Sequence, residues 1–178
     1  SEDLHYDTSD FTNITTRDAL DAQINDESRD AYFISSNIAI SQTFDASLTL
    51  KRPFAKIRVV TTDWDEANGA AAKPDNFRIA YHDFAGLNAV TGEAVGGANA
   101  DASTVYTGAI ATDQAGGKFY AEGYDSSDTN RTLTVDYLIA TPEQQAVHFS
   151  LEMFEGDTEV ASRDFQTSIP VQRNYLTT

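Results

Sequence analysis

Three histidines, His5, His82 and His148, are the side chains best suited to proton transfer or metal ligation near neutral pH. They are isolated in sequence. His82 and His148 fall on the outward phase of alternating segments, which reads as solvated strand histidine rather than catalytic base. No HExxH, GxSxG or phosphate-loop pattern occurs. The chain has no cysteine, so disulfides, thiolate nucleophiles and Cys-based zinc sites are excluded. The tightest carboxylate cluster is Asp63, Asp65 and Glu66, but Ala67 stands where a calcium loop needs its next oxygen ligand. Asp125, Asp128 and Asn130 also lack that pattern. The sequence therefore assigns no catalytic, cofactor-binding or metal-ligating residue, and the expectation is a protein that is not an enzyme.

A second kind of chemistry is stacking. Tyr81, Phe119, Tyr120 and Tyr124, with Phe84 nearby, could form a face on which sugar rings lie. The same alternation of aromatics also suits the interior of a β-sandwich.

Charge narrows the partners. The 178 residues hold 28 acidic and 12 basic side chains, a formal net charge of -16. Such a surface repels phosphate backbones and anionic lipid, so nucleic acid is not an expected partner. No apolar run approaches the roughly 20 residues that span a bilayer. Acidity of this kind keeps an exported protein soluble.

The elements that must position these residues alternate with period two. Ala55, Ile57, Val59 and Thr61 alternate with Phe54, Lys56, Arg58 and Val60, the pattern of a strand with one buried face. Phe77, Ile79 and Tyr81 alternate with Arg78, Ala80 and His82. Leu133, Val135, Tyr137 and Ile139 alternate with Thr134, Asp136 and Leu138. A further segment begins at Val147, and another runs from Val160 to Val171, where Pro170 implies an edge or a strand end. Shorter candidates are 31–41, 46–52, 104–111 and 118–124. Glu155-Gly156-Asp157 reads as a hairpin turn. Helical turns are expected at most at 63–68 and 16–24. The fold class is all-β: an antiparallel β-sandwich of about seven to nine strands.

Two divisions are expected. Residues 1–30 form a polar, acidic and partly ordered segment, and residues 31–178 form a single sandwich domain. The final residues RNYLTT read as a strand that stops in mid-run, so the last strand is expected to be truncated and to leave an open edge. The candidate edge or strand-exchange residues are Ile169, Val171, Arg173, Tyr175 and Leu176. An open edge invites a partner strand.

Four segments carry a family resemblance: LTLKRPFAKIRVVTTDW (48–64), AGLNAVTGEAVGG (85–97), VDYLIATPEQQAVHFSLEMFEGDTEV (135–160) and IPVQRNYLTT (169–178). In this order and spacing they resemble the fimbrillin superfamily of Bacteroidales surface proteins and pilus subunits. DTSDFTNIT and NDESRDAYF fit the same order more loosely. The family's lipoprotein signal with its cysteine, and its continuation after the RNY motif, are not matched here. The resemblance implies a transthyretin-like sandwich, exported as a lipoprotein to the outer membrane or fimbrium, and a structural role in a pilus. It implies other pilin-like subunits or a second copy of itself as partners, joined through β-strand addition. The alternative is a surface glycan-binding protein or tip adhesin using the aromatic face. On the family pattern Phe54 should be buried, yet it lies on the opposite phase from Ile57 and Val59, which predicts a bulge at Pro53.

Overall fold

A computed structural model describes residues 6–16, 30–38, 45, 47–61, 74–96, 103–109 and 131–178. Among these residues the structure is all-β and holds no helix. Six strands have seven or more residues: β3 (Phe54–Thr61), β4 (Asn76–His82), β7 (Ser103–Ala109), β8 (Arg131–Ile139), β9 (Gln145–Glu155) and β10 (Thr158–Val171). Five are short: β1 (Tyr6–Asp7), β2 (Thr15–Thr16), β5 (Gly86–Asn88), β6 (Glu93–Val95) and β11 (Leu176–Thr177). The helical turn expected at 63–68 and the strand expected at 118–124 lie outside the described residues, as does the helical turn expected at 16–24 apart from Thr16, which is in β2.

Two sheets face each other. One has the order β10-β9-β4-β7 and is antiparallel throughout; the other has the order β11-β3-β8. Alternation sends Phe77, Ile79 and Tyr81 of β4 and Val147 and Phe149 of β9 toward Ala55 and Ile57 of β3 and Leu138 of β8, forming one buried core. β10 is an edge strand, as Pro170 implied. It pairs with β9 through a two-residue turn in which Gly156 takes φ 57°, the conformation that a tight hairpin requires of glycine.

The smaller sheet is buried on both faces, which the alternation at Phe54 did not suggest. Phe54, Tyr137 and Ile139 point away from the inter-sheet core into a second cluster with Tyr6 and Leu87. Tyr6 stacks on Phe54 at 5.4 Å, and Tyr137 meets Phe54 edge-on at 6.3 Å. The hairpin β5–β6, the segment 6–16 and Phe33 cover this face. No bulge at Pro53 is needed, because Phe54 has a core of its own. The register shift falls instead between Val59 and Val60, where β8 inserts Leu133 and turns it into the main core.

The same opposition sets the phase of β8. Thr134, Asp136 and Leu138 face the inter-sheet core, opposite Val59, Ile57 and Ala55. The expected strands at 31–41 and 46–52 form no ladder among the described residues. They meet in one bridge, Phe33 with Lys51, through two backbone bonds of 2.8 and 2.9 Å. Around it Ile34, Ile38, Leu48 and Leu50 are exposed, so burial gives these residues little reason to zip further. Among the described residues no helix is long and apolar enough to cross a membrane.

Candidate functional site

The end of the chain links the two sheets. β10 ends at Val171, which is 1% exposed and part of the main core. The next residues turn sharply: the Tyr175 amide donates to the Gln172 carbonyl at 3.1 Å, and Asn174 takes φ 67°. Asparagine tolerates this left-handed conformation better than most residues. The Asn174 amide then donates to the Phe54 carbonyl at 2.7 Å, and the Lys56 amide donates to the Tyr175 carbonyl at 2.9 Å. Leu176 and Thr177 follow as β11, parallel to β3, opposite Lys56 and Ile57.

Two arginines fix this crossover. Arg173 donates from Nε to the Ala140 carbonyl at 2.9 Å and from Nη2 to the Gly92 carbonyl at 3.1 Å, with its guanidinium over the Phe33 ring at 5.6 Å. Burial lowers its pKa, and the nearby Glu143 carboxylate opposes that shift; the group remains a cation. Arg52 grips Asp30 with Nε and Nη2 at 2.5 and 2.6 Å and donates from Nη1 to Asn174 Oδ1 at 2.9 Å. The bond to Asp30 raises the Arg52 pKa further above its ordinary value.

The result is a strand edge covered along part of its length. Lys56 turns its amide toward β11, so Arg58 and Val60 turn theirs to the same side. Among the described residues no strand pairs with β3 on that side beyond Ile57. Beside the covered part, Tyr175 and Leu176 are 61% and 43% exposed and border a shallow depression of about 240 Å³ with Lys56 and Tyr137.

The five predicted edge residues are thus divided between the sheets and do not form one strand. Ile169 and Val171 lie in β10 and point inward, Arg173 anchors the turn, and Tyr175 and Leu176 lie beside β3. The reason is the left-handed Asn174, which ends one strand and redirects the chain.

The predicted aromatic face loses its described member. Tyr81 is 0% exposed, since it points between the sheets and its ring packs on Phe149 at 5.3 Å. Phe119, Tyr120 and Tyr124 lie outside the described residues, as do His5 and the clusters at Asp63 and Asp125. Phe84 is partly buried against the second core. Sequence reasoning missed the polar group inside the sandwich: Asp136, 1% exposed, accepts from the Tyr81 hydroxyl and from Thr134 Oγ1, each at 2.6 Å. The carboxylate on a strand of otherwise apolar and β-branched residues was the available signal.

A family of unknown function (DUF6562) has a model that matches residues 1–178. No curated protein and no solved structure matches the chain significantly.

Proposed function

This chain belongs to the family of unknown function DUF6562, and we propose that it is a non-enzymatic structural subunit of a cell-surface fibre, resembling fimbrillins, that joins a second copy by β-strand addition. The observation that carries this reading is that, among the described residues, no strand pairs with β3 on the side of β11 beyond Ile57. A strand there would continue the line of Leu176 and Thr177 and take the backbone groups of Arg58 and Val60. The fimbrillin-like order of the motifs supports export and a place at the outer membrane or fimbrium. The acidic surface fits a protein that works outside the cell.

Overlapping synthetic peptides tiling residues 1–178, added to the purified protein, test the reading. The expected result is a peptide that raises the melting temperature and binds one per chain by native mass spectrometry. A protein that stays monomeric at every concentration and gains stability from no peptide would overturn it.

A further inference from the structure

His82 on β4 and His148 on β9 stand directly opposite each other in the antiparallel register. Their rings stack with centroids 4.2 Å apart and planes inclined by 27°. Both are half-buried on the outer face of the four-stranded sheet, away from the open edge of β3. We propose that these two imidazoles form a binding site for a borderline transition-metal ion, Cu²⁺, Ni²⁺ or Zn²⁺, with water completing its coordination.

Several observations converge on that assignment. Directly opposed residues of an antiparallel pair hold their Cβ atoms about 4.5–5.5 Å apart, so a rotamer change that unstacks the rings brings one nitrogen of each imidazole to a shared ion at about 2.0–2.1 Å. β4 and β9 are the two central strands of their sheet, which holds the pair on rigid backbone. The next residues along this face, Ala80 and Ser150, are small. Asp164 on β10 is in register with Ser150 and brings a carboxylate to the same face. A chain of net charge -16 also concentrates cations at its surface. Among the described residues no group of three or more His, Cys, Asp or Glu side chains is placed to hold a metal, so the protein ligands of the site are the two imidazoles. Imidazole nitrogen selects copper, nickel and zinc over calcium and magnesium, which favour oxygen.

Isothermal titration of the intact protein with CuCl₂, NiCl₂, ZnCl₂ and CaCl₂ tests this. The expected result is one saturable transition-metal site per chain, tightest for Cu²⁺, with no calcium binding there. H82A and H148A should each weaken that site by more than about tenfold, since even outer-shell partners of a metal contribute 10–100-fold. Paramagnetic broadening of the His82 and His148 ring signals by substoichiometric Cu²⁺ places the ion in the unmodified protein, whatever the variants do to folding. Absence of saturable binding at millimolar Cu²⁺ and Ni²⁺, unchanged affinity in folded H82A and H148A, or broadening centred elsewhere overturns the proposal.

Discussion

The hydroxyl of Tyr81 on β4 donates to Asp136 Oδ2 on β8 at 2.6 Å, a hydrogen bond that crosses the sandwich from one sheet to the other. Both residues are buried, so the bond lies where water does not compete for it. Replacing Tyr81 by Phe keeps the ring against Phe149 and removes only the donor. Y81F should lower stability by about 1–3 kcal/mol, because a buried acceptor is left without one of its partners. Urea unfolding measures this, and a midpoint equal to that of the parent would refute the bond's contribution.

Strand addition makes a directional prediction about β3. The Val60 amide turns to the open side, whereas the Val59 amide turns toward β8. V60P removes a donor that no strand among the described residues uses and that an added strand would take up. It should abolish peptide binding at a smaller stability cost than V59P, which breaks the β3–β8 ladder. Peptide binding that persists in folded V60P would place the partner somewhere other than this edge.

Gly86 marks a close approach of backbones. A Cβ there would lie 2.9 Å from the Ile14 carbonyl oxygen and would run into Asn13 Oδ1. The Asn13 side chain can swing away, but Ile14 is held to Leu87 by two backbone bonds of 2.8 Å. G86A should therefore cost about 1–3 kcal/mol, in the range of an overpacked interior. Hydrogen exchange should quicken at the Ile14 and Leu87 amides. Unaltered protection at both would show that the contact is soft.

Asp10 provides a pH-dependent test. Its carboxylate accepts from the Thr12 hydroxyl at 2.7 Å and from the Thr12 amide at 2.8 Å, and these bonds, the hydroxyl's first, lower its pKa. A depressed carboxyl pKa stabilises the fold above the ordinary carboxylate value, and that contribution fades as pH falls through the folded pKa. T12V removes the larger cause and leaves the amide. The Asp10 pKa followed by NMR titration should rise part of the way toward its ordinary value. A pKa that does not move would contradict the assignment.

Much of the fold was legible because period-two alternation survives wherever a strand has one dry face and one wet face. β4, β9 and β10 are such strands, and Pro170 and Gly156 marked an edge and a turn through backbone constraints that do not depend on distant contacts. The smaller sheet was harder to read because Phe54, Tyr137 and Ile139 have a core of their own, so both phases of β3 and β8 are buried. Tyr81 illustrates the limit for the site. Its alternation placed it on a face, but whether that face was a platform or an interior depended on the sheet lying opposite it. The pairing of His82 with His148 depended on a register between segments far apart in sequence, which neither histidine's neighbours encode.

The passage of the chain from β10 through the left-handed Asn174 into β11 has a mechanical consequence. Because β11 runs parallel to β3, tension applied along the chain at Thr177 loads the bonds between them side by side in shear, rather than peeling them apart one by one. The load then reaches the turn that Arg173 fastens to Ala140 and Gly92, and that Arg52 joins to Asp30. A chain stretched from this end would resist as a clamped joint between two sheets before either sheet began to unravel.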